Sequence, residues 1–505
     1  KYDGKAELSS VLGLLFSLPE IKNKEKKDVI DEAKKIVIQV NKLNLQEQKE
    51  KLVELGEIKK VTKKKKPLSW IENGKVVMRF APNPNGPMSL GHSRVALWNW
   101  FFVHELKGTY IIRFDDTDPR IKCPLKEAYK WFEEDLKWLG IKAHKKVIQS
   151  KRLGVYYKYA EELIKKGYAY VDTLPSDKMR DMLRRGIISD ERNESSDLVM
   201  KKWKKMFTSY KEGEAILRIK TDMEHPNPAV RDWPAFRIIK KHRHPLTKAT
   251  VWPLLNFSSA IDDYEFKVTH ILRGSDLAIS DTRQKYIYDY FGWKYPITRY
   301  NGKVLISGIK STSEARELID EGKLLGWDDP RLGTLRALRR RGFQSETIVE
   351  FIRNLGFGKN DLNVNIGSLE ALNRRIIDKK ALRYFIVIEP RKVFIKNSPA
   401  LKVKIHLHPD FPKKGTRNFN VHHEFYVQDI FEPGKNYRFM HLFNLNNLNF
   451  VSKELDEKLN AKMIHWLPVE KGLVNVEIMM PDASIKKGLF EKGLKKVNVG
   501  DVIQA

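Results

Sequence analysis

The stretch from Val76 to Asp118, VVMRFAPNPNGPMSLGHSRVALWNWFFVHELKGTYIIRFDDTD, limits what this chain can fold into more than any other. It opens on an apolar run, Val76 to Met78, of the kind a buried strand carries. A loop crowded with Pro, Asn and Gly follows, from Ala81 to Met88. Ser89 offers an N-cap for a helix from Leu90 to about Lys107. Gly108 stops that helix, and Thr109 to Phe114 makes a second strand. A β–loop–α–β unit of this length matches a right-handed parallel crossover. In open α/β sheets, the edge where strands end and helices begin is where ligands bind.

The residues expected on that edge are chemically specific. Gly91 and His92 open the helix, where free N–H groups and the dipole attract phosphate. Arg79 ends the first strand and can fork onto a carboxylate. Asp115 and Asp116 follow the second strand, placed to receive an ammonium group. A phosphate cradle, a carboxylate clamp and an ammonium acceptor in one region describe a site for ATP and an amino acid.

Ser89-Leu90-Gly91-His92 resembles the HIGH signature of class I aminoacyl-tRNA synthetases. RFAPNPNGP (Arg79 to Pro87) and RFDDTDP (Arg113 to Pro119) resemble the glutamyl/glutaminyl branch, and its archaeal glutamyl type most of all. The resemblance implies a multidomain chain. Residues 1–70 are a helical appendage with a basic linker, and 71–172 and 251–325 are two halves of a Rossmann-like α/β catalytic domain. Residues 173–250 are an insertion that binds the acceptor end of tRNA, 326–383 a helical connecting domain, and 384–505 an antiparallel β-barrel region for the anticodon. The resemblance also implies that Asn83, Gly86, Ser89, Leu90, Gly91 and His92 lie on ATP. Ser89 stands where the signature has its first His.

Tyr300 to Gly322 aligns with the second signature, KMSKS, as Ile309-Lys310-Ser311-Thr312-Ser313. Ile309 replaces the first Lys, so Lys310 is expected to serve the phosphates with Ser311, Thr312 and Ser313. Ser311 and Glu314 also form an S-x-x-E capping box. In VWPLLNFSSAIDDYEFKVTHILRGSDL, a strand is expected over Phe266 to Leu272 with Arg273 at its tip, then a helix capped by Ser280 or Asp281. Arg79 and Arg273 facing one carboxylate would favour glutamate over glutamine, because an amide cannot neutralise a second buried cation. The glutaminyl branch has an uncharged residue at this position. Asn256 sits where the family places a substrate-facing polar residue, and Asp115 where it holds the amino group. Leu255 departs from the aromatic often found beside it.

The 505 residues carry a formal charge of +30, which points to a polyanionic partner. No apolar run reaches the roughly 18–20 residues of a membrane span. One cysteine, Cys123, excludes an internal disulfide and a multi-cysteine zinc site, and the cytosol is the expected compartment. The first residues read as helices carrying Val11, Leu14, Leu15, Ile30, Ala33, Ile36 and Val37, followed by a basic run, Lys59 to Lys66. From Tyr384 the pattern turns to period-two alternation with basic and aromatic residues interleaved: Arg391, Lys402, His422, His423, Tyr426, Tyr437 and Arg438. The chain starts at Lys1 and stops at Ala505, short of the family's last strand, so both natural ends are expected to lie beyond it.

The implied partners are ATP with Mg²⁺, L-glutamate and the glutamate tRNA, with the glutamine tRNA as an open second acceptor. The enzyme is expected to act as a monomer away from membranes, with no bound structural metal. Three rivals remain at this stage. A glutaminyl-tRNA synthetase is opposed by Arg273. A small-molecule nucleotidylyltransferase would not need the basic β region. A catalytically weak RNA-binding paralogue is raised by Ser89 and Ile309.

Overall fold

Val77–Phe80 is buried at every position and forms strand β1 of the protein, seen in a computed structural model. The structure describes residues 6, 8–16, 21, 25–44, 47, 48, 50, 51, 75–306 and 312–504. They fall into two units, Lys1–Glu72 and Asn73–Ala505. The basic run 59–66 lies outside the described residues.

In the first unit, helices span Leu8–Leu15 and Lys26–Lys42. The buried stripe of the longer helix is Val29, Ala33 and Val37. Ala33 and Val37 are buried as expected, whereas Ile30 and Ile36 are exposed and Val29 is buried in their place. A strict four-residue spacing selects one stripe among several apolar candidates.

In the second unit, β1 pairs in parallel with β2, Thr109–Phe114, in the register Val77↔Thr109 to Phe80↔Ile112. Strand β3, Lys145–Ile148, adds parallel to β2. The chain then leaves this sheet. Strands β4 (Ala169–Asp172), β5 (Ile216–Ile219), β6 (Pro234–Ile238) and β7 (Val251–Pro253) make a separate antiparallel sheet in the order β4–β5–β6–β7. Its core includes Tyr170, Trp203, Trp233, Phe236 and Trp252. The chain returns through β8, His270–Gly274, and β9, Ile297–Asn301. The parallel sheet has the order β3–β2–β1–β8–β9. Strand order runs outward from β1 on one side and from β8 on the other, so the crevice at their C-terminal ends is the topological switch point.

Two local readings change. The stretch expected to begin a strand at Phe266 ends a helix, Leu255–Glu265, whose last turn closes with Phe266 N–H donating to Asp262 O at 2.9 Å and Val268 N–H to Asp263 O at 2.8 Å. Lys267 takes a positive φ of 54° there, and the strand starts only at His270. Ser280 and Asp281 lie inside the helix Ala278–Phe291 and do not cap it. A short 3-10 turn, Ser275–Leu277, feeds that helix directly.

Gly108 is required by close approach. A Cβ there would lie 2.4 Å from the Val76 carbonyl oxygen, where β2 begins beside β1. Gly154, inside the helix Leu153–Lys165, has open space around it. Gly108→Ala is expected to destabilise by roughly 1–3 kcal/mol, and Gly154→Ala to stabilise by about 0.5–1 kcal/mol. Urea unfolding midpoints of the two variants would show opposite signs.

Helices Leu335–Arg340, Ser345–Leu355 and Ile366–Asp378 follow. Beyond Leu382 the chain is almost entirely strands around Phe385, Phe419, Phe425, Phe439, Phe443 and Trp466. Most pairs are antiparallel, as in Leu401–His406 with Thr416–Val421. Among the described residues of this region, two strand pairs are parallel, Tyr437 with Lys462 and Leu382 with Ile503, as is the isolated bridge of Lys396 with Asn449. Alternation identifies a strand but carries no information about the direction of its partner.

Candidate active site

Three arginines reach the switch point from three adjacent strands. Arg79 stands on β1, Arg113 on β2 and Arg273 on β8, and all three are buried. A charge in such a place needs a partner. Arg79 Nε and Nη2 donate to the two carboxylate oxygens of Asp263 at 3.2 and 3.4 Å, and Nη1 donates to Leu272 O at 3.3 Å. Arg113 Nη1 donates to Asp263 Oδ1 at 2.6 Å. The rest of Arg113 forks onto Asp115 at 2.6 and 3.1 Å and reaches Ser259 Oγ at 3.0 Å. Arg273 Nη1 pairs with Asp281 at 2.7 Å, and Nη2 donates to Gln284 Oε1 at 3.0 Å. Its buried Nε has no partner among the described residues.

Burial alone would raise the Asp263 carboxyl, but the Arg79 and Arg113 guanidiniums outweigh it and hold the group below the usual carboxylate range. Burial lowers Arg79, which also feels the like charges of Arg113 and Arg273. The two arginines expected to share a carboxylate therefore lie within each other's field, on neighbouring strands.

The phosphate end is built on the helix Leu90–Glu105. Ser89 Oγ accepts from the His92 N–H at 3.2 Å, and Ser89 N–H donates to His92 Nδ1 at 3.2 Å, a reciprocal capping box. Because Nδ1 accepts, the imidazole proton sits on Nε2. Phe132 and Phe80 pack edge-on against the ring at 5.7 and 6.5 Å. Burial first, then the charge of Lys122, pushes the imidazole down to about 4. Leu90 N–H, expected to face phosphate, donates to Gly333 O at 3.1 Å, while Leu335 N–H returns a bond to Met88 O at 2.7 Å. Among the described residues, no partner takes the Gly91 N–H or the His92 Nε2–H at this helix start. A Cβ on Gly91 would meet Ser89 Oγ at 3.6 Å, ordinary contact. The fold itself does not demand glycine there, and a bare Cα leaves the helix start open to approach.

The unfolded chain takes up the His92 proton near 6.5 and the folded chain only near 4. In that window the unfolded state holds more protons, so stability is full above the upper value and falls on acidification. The loss should approach roughly 2–3 kcal/mol by the lower value. Subtracting His92→Gln melting curves from wild-type ones across this range should isolate the slope.

Asn83 and Gly86 lie in the loop that the Asp115 N–H and Leu125 N–H pin through Pro82 O and Pro84 O, both at 2.9 Å. The buried side-chain oxygens of Asn83 and Asn256 have no partner among the described residues. Asp116 departs from its expected role. It accepts from Tyr129 Oη at 2.6 Å and from Ser150 N–H and Oγ at 2.8 and 2.6 Å, so it braces the sheet edge and is not open to an ammonium group. Lys310 and Ser311 lie outside the described residues, as does the expected Ser311 cap. Thr312 and Ser313 open the helix Thr312–Asp320.

The family model described as tRNA synthetases class I (E and Q), catalytic domain, matches residues 75–379. The model for the anti-codon binding domain of the same synthetases matches residues 381–464. This chain belongs to that family. Glutamate–tRNA ligase of Pyrococcus furiosus is 45% identical over 537 residues, covering 100% of this chain and 93% of its own. The enzyme of the same name from Methanocaldococcus jannaschii is 43% identical with the same coverages. A solved glutamate tRNA ligase from Elizabethkingia meningosepticum covers 61% of this chain and 70% of its own at 19% identity, with a TM-score of 0.45.

Asp263, Arg113 and Ser259 have no role in the sequence reading of this synthetase, and Asp281 has only that of a helix cap. For Asp263, the adjacent acids of SSAIDDYEF, following the apolar VWPLLNF, were the available signal, since a buried acid implies a buried cation. Arg94 is a further case. Its guanidinium donates to Gly302 O at 2.6 Å and Gly356 O at 3.2 Å, tying the first signature helix to the segment that leads into the second.

In the β region, Tyr437 belongs to the core, with its hydroxyl on Ile430 O at 3.2 Å. Arg438 is spent on Asn444 Oδ1 and on the carbonyls of Lys453 and Glu454. A cavity of about 580 Å³ there is lined by Arg383, Phe385, Lys404, Arg417, His441 and His465, among others. Among the described residues, no group of three or more His, Cys, Asp or Glu could hold a metal ion. No described helix is long and apolar enough to cross a membrane.

Proposed function

We propose that this chain is a glutamate–tRNA ligase with the following division of labour. Two guanidiniums on neighbouring strands at the switch point carry the reading: Arg79 and Arg273 hold the side-chain carboxylate of glutamate. Arg273 keeps a buried Nε without a partner among the described residues, and Arg79, bonded once through each nitrogen, keeps a second hydrogen on Nη1 and on Nη2. Asp115 takes the amino group, and Asn256 lines the wall beside it. Asn83, Gly86, Ser89 and Leu90 shape the ATP cradle, with Gly91 N–H and His92 Nε2–H aimed at the phosphates. Lys310, with Ser311, Thr312 and Ser313, takes the leaving pyrophosphate.

In the first step an α-carboxylate oxygen of glutamate attacks the α-phosphorus of ATP. The bond to pyrophosphate breaks, leaving glutamyl-adenylate. In the second, a ribose hydroxyl at the tRNA 3′ end attacks the acyl carbon, loses its proton, and AMP departs. No side chain forms a covalent bond, so positioning and fixed charge carry the rate. His92, neutral by burial, donates a hydrogen bond without adding a charge. Mg²⁺ arrives with the ATP phosphates.

The β region reads the anticodon. The match of residues 381–464 to the anti-codon binding model supports this. Arg417, 4.3 Å over the buried Phe385 ring and paired with Glu491, belongs to the packing beneath that surface. The working unit is one chain with one tRNA, in the cytoplasm. Charging purified glutamate and glutamine tRNAs with each amino acid tests the reading. Glutamate should be attached to the glutamate tRNA, and the glutamine tRNA is a second acceptor in the same assay. Preferential attachment of glutamine would refute it.

A further inference from the structure

We infer that Asp263 is the positioning residue that sets the spacing of the arginine clamp and so tunes selection of an acid over its amide. This rests on the reading of Arg79 and Arg273 as the carboxylate clamp. Asp263 projects from the last turn of the helix Leu255–Glu265, and its side chain is almost wholly buried. One oxygen accepts from two strands at once, from Arg79 Nε at 3.2 Å and Arg113 Nη1 at 2.6 Å. The other accepts from Arg79 Nη2 at 3.4 Å. The fork on Nε and Nη2 fixes the plane of the Arg79 guanidinium. It leaves Nη1, on Leu272 O, on the side of Arg273.

The charges explain why this one acid matters. Arg113 also has Asp115, and Arg273 has Asp281. Asp263 is the single acid paired with Arg79 among the described residues. Arg79 feels repulsion from both other arginines, and Asp263 feels the attraction of all three. Without it, Arg79 would swing away from like charge, and a ligand carboxylate would meet a fork in the wrong place. The neighbouring acid does something else. Asp262 accepts from Arg152 Nε at 2.9 Å, Gln149 Nε2 at 3.1 Å and Tyr156 Oη at 2.8 Å, which ties the helix to the segment after β3.

Steady-state charging of the full chain separates these roles, using Asp263→Glu, Asp263→Asn, Asp262→Glu and Arg79→Lys with melting temperatures recorded for each. Asp263→Glu keeps the charge and displaces it by one methylene. It should raise KM for glutamate about 10- to 100-fold, narrow the preference over glutamine, and leave KM for ATP and tRNA unchanged. Asp263→Asn should do more, and if it does not fold, Asp263→Glu still decides. Asp262→Glu should lower the melting temperature and leave KM for glutamate alone, which a general loss of packing could not reproduce at Asp263. If Arg79→Lys raises KM for glutamate and folded Asp263→Glu does not, the inference is overturned and the clamp survives. If neither raises it, the clamp reading fails and takes the inference with it.

Discussion

Arg273→Cys should lower kcat/KM for glutamate charging by about 10²–10³-fold, because one of two cations facing a buried carboxylate is lost and the uncompensated charge costs several kcal/mol. The protein should stay folded. Asp281 loses its ion pair at 2.7 Å but keeps hydroxyl donors from Tyr295, at 3.0 Å, and Tyr300. A carboxylate with two phenolic donors is far less costly to bury than a bare one. Discrimination against glutamine should shrink at the same time, since an amide loses less than an acid does when a cation disappears. Charging assays with both amino acids, alongside thermal melts, measure all three effects. Full retention of glutamate charging in the folded variant would remove the basis for the pocket.

His92→Ala should slow tRNA- and glutamate-dependent ATP–pyrophosphate exchange by about 10²–10³-fold, the usual cost of one pre-oriented donor to a developing charge. Its effect on stability should be small. The Ser89 hydroxyl still accepts from the backbone N–H of position 92, so one of the two capping bonds is retained. With its pKa pushed down to about 4, His92 contributes no ionisation near neutral pH. A bell-shaped activation profile that lost its acid limb in His92→Ala near pH 6–7 would contradict this neutral-donor role. A variant with normal exchange would assign phosphate contact to Gly91 N–H and the second signature alone.

The arginine cluster shows how far a one-dimensional reading reaches. Arg79 and Arg273 were readable because a strand tip bearing an arginine in an otherwise apolar run has few uses. The acid shared by Arg79 and Arg113 was not, because Asp263 is 184 positions from Arg79 and 150 from Arg113. Nothing in a local pattern states which helix face will meet which strand. Asp116 was misread for the same reason. Its neighbour Asp115 shares its chemistry, and only the packing reveals that Asp116 is held by Tyr129 and Ser150 while Asp115 is forked by Arg113.

Local order in the chain determined the strand–loop–helix–strand unit, the cap at Ser89 and the excess of positive charge, all set by propensity, spacing and composition. The helix expected to stop at Gly108 ends at Glu105, with Lys107 in the left-handed turn. Tertiary structure alone decided the strand order around β1 and β8, the direction of the late β pairs, and the sharing of Asp263 by two arginines. It also decided that Leu90 N–H is consumed by Gly333. Short-range rules govern what a segment becomes. Burial of charge is settled only when distant segments meet, because a guanidinium removed from water takes whichever carboxylate the fold brings to it.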